Sequence, residues 1–325
     1  MSRADTAIAR HNTYLLLSQL YLEGLTEDLL PYIVEIPELA AAAPRPFHPD
    51  EAAATHFRIF AHDIFPYESI FRDSSGLLGG TYADQVRIIY EDAGVNICSE
   101  CDHIGQELAF LAALCKYKSR AVSKQDNEAA SPFVKSQRTF LQEHLITWLP
   151  PFIIALSLTN QPFYAALSRM TQSLAFDHLL SLDRAGSAKS FGISDGNRLP
   201  DLPEILKDKQ TSLKQIVRFL ITPPQSGLYF GRSAISTIAR KRQMPRGFGS
   251  RQQMFSNLFH AAAQYGQTPD LLHDLAVYAE TWGDRYQEQI VEWPGLSPWI
   301  RPWLRRVNRT ASALCDMKSM SISVN

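Results

Sequence analysis

The stretch SECDHIGQELAFLAAL, residues 99–114, sets an acid, a thiol, a second acid and a histidine directly before an apolar run. Ile104, Leu108, Leu111 and the following Cys115 recur at i, i+4, i+7 and i+11, which is one face of an α-helix. Ser99 reads as the N-cap, with Asp102 at the third helical position and Glu100 beside it. Both acids favour the positive end of the helix dipole. His103 is the odd member, because a cation in the first turn opposes that dipole. It is expected to be neutral or held by a carboxylate.

The same residues raise a chemical alternative. Glu100 and His103 form an E-x-x-H pair, but a carboxylate-bridged di-iron bundle needs two such pairs and two further carboxylates. The chain has only this one. Cys98-x-x-Cys101 is half a tetrahedral zinc site, with no second C-x-x-C to complete it. A redox C-x-x-C would be expected beside a βαβ pattern, and none is visible. The residues therefore read as unpartnered thiols and no metal is expected. The enzyme alternative is a metal-dependent helical catalyst using Glu100, Asp102, His103 and Glu107.

Helical spacing continues along the chain. TAIARHNTYLLLSQLYLEGL, residues 6–25, places Ile8, Tyr14, Leu15 and Leu22 on helical repeats, and residues 50–65 do so through Phe57, Phe60 and Ile64. Residues 131–149 open with Ser131 as a cap and Pro132 as the first helical residue. GFGSRQQMFSNLFHAAAQYG, residues 247–266, carries a capping box at Ser250 and Gln253 and stops at Gly266. The next helix starts with Thr268 as cap and Pro269 in the first turn. Alternating strand patterns with hairpin turns are almost absent, so the fold class is all-α.

Composition agrees with a folded, water-soluble chain: of 325 residues, 45% are hydrophobic and 20% charged. No run of about 18 uncharged apolar residues could span a bilayer. The first residues lack a signal-peptide pattern, so the cytoplasm, with reduced thiols, is the expected location. RAGSAKSFGISDGNRLPDLP, residues 184–203, has linker composition. The expected division is a domain at 1–184, a linker or long loop at 185–203, and a helical region at 204–325. TPPQSGLYFGR, residues 222–232, is a second interruption. The near-neutral total hides a split: residues 1–115 carry 17 acidic and 6 basic side chains, net −11, and residues 116–325 carry 16 and 26, net +10. An acidic surface suits a basic partner, and a basic one suits phosphates.

ECDHIGQELAFLAAL resembles the E-x-D-H-x-x-x-E-L-x-F-x-x-x-L signature of the TorD/DmsD/NarJ family, cytoplasmic maturation chaperones for molybdenum enzymes. FPYESIFRD, residues 65–73, resembles the family's upstream P-[YW]-x-S-[VI]-[YF] segment. FLQEHLITWLPPF, residues 140–152, resembles its downstream F-x-x-x-H-[LI]-x-x-W helix. The Tyr14-x-x-x-Ser18-x-x-Tyr21 helix also fits. The resemblance covers roughly residues 5–180, and family members usually end where this chain enters its linker. Cys101 is not part of the family pattern, and Glu68 stands where small residues are often found.

The resemblance implies a TorD-like helical bundle followed by a helical C-terminal extension, and a binding protein rather than an enzyme, with no catalytic residue. Its partner would be the twin-arginine leader, or the N-terminal region, of an apo-molybdoenzyme catalytic subunit of the DMSO-reductase type. The chaperone would hold that subunit until its cofactor is inserted. The leader-binding residues would be Phe65, Pro66, Tyr67, Glu68, Ser69, Phe71, Glu100, Asp102 and His103, with Ile70 adding groove wall. No cofactor is expected to be bound stoichiometrically. A transient contact with molybdenum–pterin guanine dinucleotide would fall to a basic patch at Arg240, Arg242 and Arg246. The basic run at residues 301–309 reads as a solvated face. Nucleic acid is not expected as a partner, since no reading motif is present. Homodimerisation is open.

Overall fold

A computed structural model describes residues 3–96, 100–184, 199, 211–245 and 247–323. Cys98, Ser99, Arg246 and nearly all of the expected linker lie outside the described residues. The helices come in chain order as α1 (Arg3–Leu22), α2 (Leu30–Val34), α3 (Pro37–Ala42), α4 (Pro49–Phe57) and α5 (Glu68–Arg72). They continue as α6 (Thr81–Asp92), α7 (Ile104–Ser123), α8 (Asn127–Phe140), α9 (Ile146–Ser157) and α10 (Pro162–Arg184). After the linker come α11 (Leu213–Ile221), α12 (Pro223–Ser226) and α13 (Arg232–Lys241). The last three are α14 (Arg251–Gln264), α15 (Thr268–Glu292) and α16 (Ser297–Ser323). Among the described residues there is no strand, and the all-α class holds.

The chain forms two compact units. The first takes residues 1–70, 77–149 and 156–197; the second takes 71–76, 150–155 and 198–325. The second unit thus includes two short stretches from the sequence span that resembles the chaperone family.

In the first unit α1 packs along α7, α7 against α8, and α10 beside both α1 and α8. The apolar face of α7 falls where its spacing puts it, with Ile104, Leu108, Leu111 and Cys115 all buried. On α1 the helix is as expected but its inner face is not. Ala7, Tyr14, Leu17 and Tyr21 are buried, whereas Ile8, Leu15 and Leu22 are 40%, 42% and 36% exposed. The inner face turns toward Tyr14 because that phenol has a buried partner. Tyr14 donates to His178 Nδ1 at 3.0 Å, and His178 Nε2 donates to Gln137 Oε1 at 3.3 Å. Gln137 reaches Cys115 Sγ at 3.6 Å. This polar chain crosses four helices and satisfies groups that would otherwise be costly to bury. Burial holds His178 neutral, well below its ordinary pKa, and lifts the Cys115 thiol to about 12, so this cysteine is inert.

Three helix starts differ from expectation. α7 begins at Ile104, with His103 rather than Ser99 as N-cap. α8 begins at Asn127, because the Asp126 carboxylate accepts from Ala129 N at 2.8 Å and starts the helix early. That leaves Pro132 inside the second turn and Ser131 without a capping role. α15 takes Thr268 as its first residue, one position later than a cap would stand. The Ser250–Gln253 capping box forms as read.

The second unit has α15 packed along α16, with α11, α13 and α14 adjoining. The interruption at 222–232 is not a surface loop: residues 222–231 are buried except Gln225. Side chains from three helices satisfy its carbonyls. Arg306 donates to Pro224 O at 2.8 Å, Thr310 to Ser226 O at 2.8 Å and Tyr286 to Gly227 O at 2.9 Å. Tyr278 donates to Tyr229 O at 3.3 Å and Arg251 to Phe230 O at 3.4 Å. Gly227 has φ +80°, and a Cβ there would lie 2.5 Å from Val307 N, so the close approach requires glycine. Phe71 belongs to this core: it stacks on Tyr229 (5.3 Å, 24°) and meets Phe152 edge-on (5.9 Å).

Candidate functional site

The two segments singled out by sequence, 66–69 and 101–104, lie side by side in the first unit. Tyr67 and His103 form an isolated antiparallel bridge, with Glu68 N donating to Asp102 O at 2.9 Å and Ile104 N to Pro66 O at 2.9 Å. The Asp102 carboxylate accepts from Ser69 N at 3.0 Å, capping the start of α5 from another part of the chain. His103 Nδ1 accepts from Gly105 N at 3.0 Å and caps α7. Tyr90 donates to Cys101 O at 2.9 Å from α6. The D-H pair is therefore a clasp: each residue caps a different helix.

Burial sets the electrostatics. His103 is pushed down to about 4, chiefly by desolvation, with His56 adding a smaller effect, so it is neutral at pH 7. A neutral imidazole is what an acceptor at a helix N-terminus requires, which resolves the conflict with the dipole. Asp102 is raised by desolvation, and its bonds to Ser69 work against that rise. Glu68, fully buried, accepts from His144 Nδ1 at 3.0 Å. His144 is brought there by a π-helical turn, Leu141–Leu145, between α8 and α9. Trp148 donates to Glu107 Oε2 at 3.3 Å.

Of the nine residues expected to bind a leader, Pro66, Glu68, Ser69, Phe71, Asp102 and His103 are buried and present no side chain to the surface. Five of these six belong to the clasp or its surroundings, and Phe71 to the core of the second unit. Phe65 and Tyr67 are half-buried, and Glu100 is exposed. Ile70 is also buried. Tyr67 sits edge-on to the His103 ring at 5.0 Å. Its phenol, raised by burial and then by a hydrogen bond to Glu100, ties that carboxylate to the clasp. Glu100 has φ +54°, a left-handed conformation that disfavours a side chain, while its carbonyl accepts from His103 N at 2.9 Å.

Sequence reasoning missed one part of this surface. Leu77 and Leu78 are 69% and 55% exposed, on a loop bounded by Gly76, Gly79 and Gly80, all at positive φ. Gly79 N donates to Ser69 Oγ at 2.9 Å, which fastens the loop to the clasp. The signal was the pair of leucines set among glycines directly after the FPYESIFRD segment.

The metal reading of Glu100, Asp102, His103 and Glu107 has no geometric support. The four have separate partners, and among the described residues no His, Cys, Asp and Glu cluster is placed to hold an ion. In the second unit, Arg242 is engaged by Asp274 and Asp270, and Lys241 also bonds Asp274 at 2.8 Å. Arg242 is therefore part of an internal ion cluster, while Arg240 is exposed.

The family model described as nitrate reductase delta subunit matches residues 24–153, which contain the whole clasp. The chaperone protein TorD of Aliivibrio fischeri is 34% identical over 110 residues, covering 32% of this chain and 49% of that protein. The selenate reductase assembly chaperone protein of Thauera selenatis is 42% identical over 62 residues, 19% of this chain and 31% of that one. A TorD chaperone of Vibrio cholerae is 35% identical over 94 residues, 27% of this chain and 40% of its own. The chain thus spans half or less of the curated relatives it matches, and no solved structure matches. Through residues 24–153 the chain is similar to the family whose model bears the description nitrate reductase delta subunit.

Proposed function

We propose that this chain is a cytoplasmic maturation chaperone for a molybdenum-dependent oxidoreductase, and that it binds the N-terminal leader of the apo catalytic subunit. The observation that carries this reading is the clasp: two of the resembling segments interlock within the matched residues, with Phe65 and Tyr67 half-buried, Glu100 exposed, and the exposed Leu77 and Leu78 on a loop fastened to Ser69. The names of the relatives, a TorD chaperone and an assembly chaperone, support the class of activity. No described helix is long and apolar enough to cross a membrane.

A twin-arginine leader offers two guanidiniums and an apolar stretch. Exposed arginine–carboxylate pairs contribute about 0–1 kcal/mol each. Burying roughly 400 Å² of apolar leader surface contributes on the order of 10 kcal/mol before ordering costs. A micromolar complex needs about 8 kcal/mol net. The exposed leucines and the aromatic rim therefore supply affinity, and Glu100 supplies register. Cofactor contact at Arg240, Arg242 and Arg246 is a weaker part of the reading, because Arg242 is already neutralised by two aspartates and Arg246 lies outside the described residues.

The test is purification of the full chain from cells making its natural partners, with mass spectrometry of what comes with it. The expected companion is the catalytic subunit of a molybdenum oxidoreductase, leader attached and cofactor absent. Recovery of that subunit only in its cofactor-loaded form, or of no oxidoreductase, overturns the proposal.

A further inference from the structure

The basic run at 301–309 divides on folding. Arg306 turns inward to Pro224 O, while Arg301 and Arg305, one turn apart on α16, are exposed and line a cleft of about 480 Å³. Its other walls are Gln287 and Ile290 from α15, Pro298 at the start of α16, and Leu304. No acid lines it. Neither Arg301 nor Arg305 has a hydrogen bond or ion pair with the described residues, whereas Arg285 nearby is paired with Glu288 and Arg242 with Asp274. Like charges at i and i+4 repel weakly, and an anion between them would relieve that repulsion.

We infer that this cleft is a binding site for a phosphate monoester on a small apolar body. Guanidinium groups recognise the oxyanion in bidentate fashion, and two of them match a dianion better than a carboxylate. Gln287 adds an amide donor, and Ile290, Pro298 and Leu304 form an apolar wall for the organic part. All six residues belong to the α15–α16 pair of the second unit, whereas the clasp belongs to the first.

Titration calorimetry of the full chain with phenyl phosphate, inorganic phosphate and benzoate tests this. Phenyl phosphate should saturate one site, bind about tenfold tighter than inorganic phosphate because of the apolar wall, and bind tighter than benzoate. Arg301→Gln and Arg305→Gln should each weaken it about tenfold. Arg309→Gln, on the same helix but outside the cleft, should leave it unchanged. Ile290→Ser should remove the phenyl advantage and keep phosphate binding. Unsaturable binding overturns the inference, as does equal loss in Arg309→Gln, which would mean diffuse charge. Benzoate binding as tightly as phenyl phosphate overturns the ligand class.

Discussion

Both units bury a piece of irregular backbone, and they do it by opposite means. In the first, residues 66–69 and 101–104 satisfy each other, backbone to backbone, with Asp102 and His103 closing the two helix starts. In the second, residues 222–231 have no backbone partner strand, and five carbonyls are met by side chains of α14, α15 and α16. Buried carbonyls must be paired, but either solution suffices. The first solution spends few side chains and leaves Tyr67 half-buried and Glu100 exposed beside it. The second commits three helices to one loop and makes a rigid core.

The largest way to break this contrast is Phe71→Ala. Phe71 sits in the family segment yet packs on Tyr229 and Phe152, so its loss should cost about 4 kcal/mol. Urea unfolding of the full chain measures it. A cost below that of a surface substitution would mean that residues 71–76 are not part of the second core.

A paired glycine substitution sharpens the comparison. Gly227→Ala should cost about 3 kcal/mol, combining positive φ with a Cβ against Val307 N. Gly79→Ala, at φ +83° with nothing within 4 Å, should cost about 1 kcal/mol. Equal midpoints for the two variants would show that the loop at 222–231 has room to shift.

Acid separates the units more gently. His103 is neutral in the fold, near 4, whereas unfolded histidine binds a proton below about 6.5. The unfolded chain therefore takes up more protons between those values, and stability, complete above pH 6.5, falls as pH drops through that window. From pH 7 to pH 5 the loss from His103 alone is about 2 kcal/mol. His56 and His178, also lowered by burial, add to it, and the raised Asp102 carboxyl opposes it. All four groups lie in the first unit. Denaturant curves at the two pH values with no difference in midpoint would contradict the buried, neutral state of His103.

These elements also show what a sequence displays and what it hides. Helical spacing located α7 and its buried face, because every fourth or third apolar residue meets the same neighbour. The order of the family segments located the clasp. Capping was misread at α7 because Ser99 looks like a better cap than a histidine. Only the fold desolvates His103 enough to make it an acceptor. The loop at 222–231 has the glycine and proline content of a turn at the surface. Its burial depends on Tyr286, Arg306 and Thr310, which are 59 to 84 residues away from the carbonyls they satisfy. The exposed part of the site was hidden for the same reason, since sequence could not say that Asp102 faces inward and Glu100 outward.

The central claim is that the D-H pair holds the surface and its exposed neighbours do the binding. Titration calorimetry tests it with the full chain and a peptide of two arginines followed by an apolar stretch, below the unfolding range of every variant. The unaltered chain should bind it, and a peptide with serines in place of the apolar stretch should give no heat of binding. Glu100→Gln should weaken binding about threefold. Asp102→Asn should lower the unfolding midpoint yet keep Kd within about twofold. Loss of binding in folded Asp102→Asn, with Glu100→Gln unaffected, would contradict the account.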